Sequence, residues 1–136
     1  MILDVDYDLL QTFAIPLLRG RFFSKEFPSD TASVVINEAM ARECRTEDPV
    51  GKELLDIGRR PRSYRIIGVV KDFHYQSLHE HIKPLVLFLS PVTQAASIVT
   101  IRIAPGDVQG TTAFVDHTWK RSPVERIYSL HSFVRI

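Results

Sequence analysis

Apolar and polar positions along the chain fall into short runs whose periods predict strands and helices in mixed order. Two runs are dominant. Tyr64 to Val70 (YRIIGVV) is β-branched with a single glycine, the composition of a strand buried on at least one face, where Gly68 allows a close backbone approach or a bulge. Leu85 to Leu89 (LVLFL) is a second apolar run, opened by Pro84 where a strand tolerates proline. Between them runs a polar crossing, Lys71 to Lys83, whose most helical piece is the capping-box sequence Ser77-Leu78-His79-Glu80. That piece is too short to nucleate a helix alone, so the stretch reads strand, short helical turn, strand.

Earlier in the chain, Ile2 to Val5 is a short candidate strand. Asp6 can cap a helix through Phe13, with Leu9, Leu10 and Phe13 on its buried face, and Pro16 ends it. Leu17 to Phe23 mixes apolar and basic residues, and Ser24 to Ser33 reads as polar loop around Pro28. Ser33 to Ile36 is a strand, followed by Asn37 as N-cap of a helix over Glu38 to Glu43. Asp48-Pro49-Val50-Gly51 is a turn, and Lys52 to Val70 reads as a β-hairpin closed around Gly58 to Arg62.

After Leu89, Pro91 to Ala96 is a linker, and Ile98 to Ile103 alternates as a half-buried strand would. Pro105-Gly106-Asp107 caps a last helix, Val108 to Arg121, on which Val108, Thr112, Val115 and Trp119 align to face the sheet. Arg126 to Leu130 is a candidate final strand. The sum is an α+β fold, with mixed β-sheets and three or four packed helices.

Composition narrows the function. At 136 residues the chain is one domain or two small subdomains. A net charge of +1 gives no bias toward nucleic acid or an anionic membrane. The lone Cys44 excludes an internal disulfide and any multi-cysteine metal site, and its surroundings do not single it out as reactive. Gly51-Lys52 is no phosphate loop, because Thr46 and Glu53 stand where glycine and Ser/Thr are needed. Arg59, Arg60 and Arg62 are the densest basic cluster and read as a solvated hairpin turn.

Candidate chemistry gathers in the crossing. Asp72, His74, His79 and His81 are of the metal-ligating types, but their spacing matches no established ligand pattern. Acid–base work by His74 with Asp72 lacks a nucleophile or oxyanion donors nearby. Phe73 and Tyr75 among the charges give the crossing the composition of a protein contact, although Phe73 also suits a core. The expected partner-contact set is therefore Asp72, Phe73, His74, Tyr75, His79 and His81, with no catalytic residue, metal or cofactor.

The run IIGVVKDFHYQSLHE followed by IKPLVLF resembles the core of the extracytoplasmic domain of MacB/FtsX-type ABC transporter permeases. VDYDLLQTFAIPLLRGRFFS (Val5 to Ser24), VVINEAMARE with DPVGKEL (Val34 to Leu54), and IRIAPGDVQGTTAFVDHTWK (Ile101 to Lys120) resemble the same family in the same order. The likeness covers Val5 to Lys120. It lapses at the end, where ERIYSLHSFVRI stands in place of a phenylalanine/tyrosine strand leading to an acidic Leu-Asp step.

The resemblance implies a piece of a longer membrane protein, placed on the periplasmic side of the inner membrane. It implies two subdomains: an inserted sheet-rich lobe over residues 15–92, and a partial membrane-proximal βαβ lobe from residues 2–14 and 95–136. It implies a non-catalytic role, coupling ATP-driven motion of transmembrane helices to export or to a periplasmic adaptor or effector. Its partners are then a second permease copy and a cytoplasmic ABC ATPase. A small extracytoplasmic ligand- or metal-sensing module is the alternative from a different class.

Overall fold

The computed structural model describes residues 1–56, 62–74, 81–90 and 99–121. The expected hairpin tip with Arg59 and Arg60, the Ser77 to Glu80 turn, the linker after Pro91, Ile98 and the strand at Arg126 all lie outside the described residues, as do Tyr75 and His79. The chain divides into two compact units, Met1–Ile101 and Arg102–Ile136.

In the first unit the described elements are β1 (Ile2–Val5), α1 (Leu9–Phe13), β2 (Leu17–Gly20), β3 (Ser33–Asn37), α2 (Glu38–Glu43), β4 (Glu53–Asp56), β5 (Arg62–Val70) and β6 (Val86–Leu89), with a 3-10 turn at Pro28–Ala32. The strands form one mixed sheet in the order β1-β6-β3-β5-β2, and β4 pairs with β5 as the expected hairpin. β1 runs parallel to β6 and β3 parallel to β5, whereas β6 is antiparallel to β3 and β2 to β5. The second unit contains α3 (Val108–Lys120). The protein is thus α+β, as the residue pattern predicts.

Both faces of the sheet are covered, which is why β3 is buried at all five positions. Val35, Ile67, Val70, Leu85 and Leu87 face one core, over which α1 lays Leu9, Leu10 and Phe13. Val34, Ile36, Ile66, Val69 and Val86 face the other, over which α2 lays Met40, Ala41 and Cys44. A strand with strict alternation would put Ile66 and Val69 on opposite faces. The β3–β5 register shifts by one residue between Val34 and Val35, so that Val35 pairs with Gly68 and Ile67 is the extra residue of a bulge. The bulge resets the alternation and sends Val69 to the same side as Ile66.

Three expectations are corrected. The mixed segment after Pro16 contains the strand β2, and part of the polar loop around Pro28 is a 3-10 turn. Residues 99–104 form no strand, and Val99 and Ile101 are exposed. Alternation supplies a face, but a strand also needs a ladder of hydrogen bonds, and none is made there among the described residues. The last helix forms where expected and with the expected cap: Asp107 Oδ1 accepts from the Gly110 N–H at 2.8 Å, and Lys120 pairs with Asp116 one turn earlier at 2.6 Å.

Candidate partner-contact site

β5 and β6 are not neighbours; β3 lies between them. Because β5 is parallel and β6 antiparallel to β3, the polar crossing leaves and re-enters the sheet at the end of β3 where α2 begins. Asn37 is the residue at that junction. It is fully buried and has every polar side-chain atom engaged. Oδ1 accepts from the Met40 N–H at 2.9 Å, which makes Asn37 the expected N-cap of α2. The same oxygen accepts from the Leu85 N–H at 2.9 Å, and Nδ2 donates to the Lys83 carbonyl at 3.0 Å. The Asn37 N–H also donates to the Leu85 carbonyl at 3.1 Å, so the returning end of the crossing is tied to one asparagine.

The outgoing end is tied to α2. The Asp72 N–H donates to Glu38 Oε2 at 3.0 Å, while Asp72 Oδ1 accepts from the Ala39 N–H at 2.9 Å. This is a capping box closed between distant segments instead of within one helix start. Asp72 Oδ2 also takes a hydrogen bond from Arg42 Nη2 at 2.9 Å. Glu38 and Arg42 are four residues apart on α2 and so present to Asp72 from one side of the helix.

The expected contact residues therefore have different surroundings. The Asp72 side chain is 16% exposed and committed to α2. Phe73 is buried in the core beneath α1. His74 and His81 are exposed at the two ends of the crossing. No group of three or more metal-ligating side chains comes together among the described residues. The roles of Asn37, Glu38 and Arg42 at the crossing were not evident from sequence. Only the shared side of Glu38 and Arg42 was legible, and nothing in the spacing pointed from it to Asp72.

A second polar cluster fixes the loop after β2. Arg21 grips Asp30 with both terminal nitrogens, Nη1 to Oδ2 at 2.8 Å and Nη2 to Oδ1 at 2.6 Å. The Ser24 N–H adds a bond to Oδ2 at 3.0 Å, and the guanidinium lies 4.2 Å from the centre of the Phe27 ring. Asp30 has no exposed surface, so burial alone would push its carboxyl up. The Arg21 hydrogen bonds outweigh that and hold it below the usual carboxylate range, while the same contact raises Arg21. Burial, with a smaller contribution from the Glu43 charge, pushes the Cys44 thiol up.

Residues 1–115 match the family of MacB-like periplasmic core domains, so the chain belongs to that family. It is the extracytoplasmic domain of a MacB-like ABC transporter permease, on the periplasmic side. Similar folds occur in the periplasmic region of MacB from Actinobacillus actinomycetemcomitans (TM-score 0.58, 22% identity, covering 88% of this chain and 54% of that one). A domain described as belonging to a permease of Porphyromonas gingivalis is similar as well (TM-score 0.60, 20% identity, 91% and 60%). The chain thus spans only a little over half the length of these structures. Among curated proteins no sequence matches it. No helix among the described residues is long and apolar enough to cross a membrane.

Proposed function

We propose that this domain transmits motion: ATP hydrolysis by a cytoplasmic ABC ATPase moves transmembrane helices, and the domain passes that movement to export or to a periplasmic adaptor or effector. In this reading it carries out no reaction of its own, and a second permease copy lies beside it. The contact region is the crossing from Asp72 to His81. The observation that carries this choice is the way the crossing is mounted. Its ends are tied by Asp72 and Asn37 to the junction of a fully buried strand, while His74 and His81 face outward. A polar surface segment anchored to the core suits recognition followed by force transfer.

The test is the double variant Tyr75→Ala with His79→Ala in the full-length permease. Transport should fall while the isolated domain retains its circular dichroism and melting temperature. Normal transport by that variant would remove the crossing from the contact surface.

A further inference from the structure

We infer that Asp72 and Asn37 form a paired clamp that makes the two described ends of the crossing, residues 71–74 and 81–85, move as one body with β3 and α2, with Asp72 acting as a positioning residue for the outgoing end. The inference rests on the reading that the crossing meets a partner, and adds how a push on it would reach the sheet. Chain connectivity alone does not provide this. The crossing hangs from β5 at one end and β6 at the other; these strands do not pair with each other, and their Tyr64–Phe88 ring contact lies at the opposite end of β3, beside Val34. A load on the crossing could therefore be absorbed by its two ends separately.

The clamp closes that gap at residues 37–42. The outgoing end is held by the exchange between Asp72 and Glu38-Ala39, and by Arg42. The returning end is held by Asn37 through Lys83 and Leu85. The two halves differ physically. Asn37 is fully buried, so water does not compete for its bonds. Asp72 retains some exposure and pairs with a largely exposed Arg42, so its half is the weaker and the one open to adjustment.

Removing the buried Asn37 risks unfolding, so Asp72 carries the test. In the full-length permease with Cys44→Ser and every cysteine outside this domain likewise replaced, spin labels are attached at Glu43→Cys on α2 and His74→Cys on the crossing, both exposed positions. With Asp72 present the label-to-label distance should be one narrow population. Asp72→Ala should lose that population and lower transport while the amount of folded protein stays that of the labelled parent; its melting temperature falls as the Ala39 and Arg42 bonds are lost. Asp72→Asn keeps an oxygen for the Ala39 N–H and should restore both readouts in step. A narrow population in Asp72→Ala, or a broad one with normal transport, overturns the clamp. The Tyr75/His79 variant tests the contact reading separately, because it leaves the distance measurement untouched.

Discussion

Gly20 stands opposite Gly68 in the β2–β5 pair, and at neither is there room for a side chain. A Cβ on Gly20 would overlap the Ile67 carbonyl oxygen, and one on Gly68 would overlap that of Arg21. The Arg21 N–H donates to the Ile67 carbonyl at 2.9 Å, so the two backbones are held at this spacing just beyond the paired glycines. Gly20 also has φ of +68°, where a side chain is strained even in open space.

Gly68→Ala should cost about 1–3 kcal/mol, because the object a Cβ meets is backbone that cannot rotate away. Gly20→Ala should cost more, adding about 1–2 kcal/mol for the left-handed conformation. The exposed control Glu43→Ala should stay within about 0.5 kcal/mol. Urea unfolding midpoints check the order. A Gly68→Ala midpoint equal to that of the control would mean the β2–β5 approach is looser than described.

The Arg21–Asp30 pair gives an asymmetry between its two deletions. Asp30→Ala frees a guanidinium that is 38% exposed and can turn to water, whereas Arg21→Ala leaves a carboxylate with no exposure at all. Asp30→Ala should cost about 1.5–3 kcal/mol, the range for hydrogen bonds to charged groups, reduced by screening at Arg21. Arg21→Ala should cost more.

The pH dependences of the two differ in sign. In the native protein Asp30 titrates below its unfolded value of about 3.9, so its contribution is complete above that pH and is lost as pH falls through the folded value. In Arg21→Ala burial dominates and raises the folded value above the unfolded one, so that variant should gain stability relative to wild type on acidification. Melting temperatures from pH 7 to pH 3 check this, and parallel curves for the two proteins would contradict it.

How much of this was legible in sequence depended on how local each cause is. Val34-Val35-Ile36 followed by Asn37 and Glu38 contains its own strand, cap and helix start, and the structure has them there. The apolar runs around Gly68 and Leu87 are likewise self-contained, and Gly68 does sit beside a bulge. Leu17 to Gly20 carries no strand signal of its own. It becomes one because Gly20 can approach Gly68, a partner forty-eight residues away. Asp30 looked like a loop residue because its burial depends on Arg21.

The crossing was legible as polar surface at His74 and His81, but not in its attachments. Asp72 shares its neighbours' residue types, yet its carboxylate is committed to Ala39 and Arg42, more than two dozen residues earlier. Phe73 alternates with polar residues as a contact aromatic would, but it points into the core under α1. Residue types name the chemistry available, whereas long-range packing decides which atoms remain free to use it.

Cys44 offers a prediction from its raised thiol pKa. Burial and the adjacent Glu43 charge both disfavour the thiolate, which is the reactive form. Alkylation with iodoacetamide at pH 7 should therefore be slower in the folded protein than for free cysteine, and should reach the free rate in urea. Labelling of the folded protein at the free rate would place the thiol in a more open setting than the α2 face of the core.

Asn37→Asp tests the returning half of the crossing, because it changes one atom and almost no volume. The retained oxygen can still accept from the Met40 and Leu85 N–H groups, each 2.9 Å from Oδ1. The amide nitrogen, which donates to the Lys83 carbonyl at 3.0 Å, is replaced by a second oxygen facing an acceptor. An ionised carboxylate would be fully buried there with two acceptors opposed, so the folded state should favour the protonated acid. Its folded pKa then lies above the unfolded one, and the variant's stability relative to wild type must rise as pH falls. At pH 7 the variant should be less stable by about 1–3 kcal/mol, the cost of a buried polar group left without its partner. Near pH 4 the protonated oxygen can donate to the Lys83 carbonyl as the amide did, and most of that gap should close. Both proteins contain Asp30, so its own acid loss cancels in the difference. Thermal unfolding of the two proteins side by side from pH 7 to pH 4 reads the gap directly. A gap that stays constant over that range would mean that the Asn37 Nδ2 bond to Lys83 does not hold the returning end of the crossing.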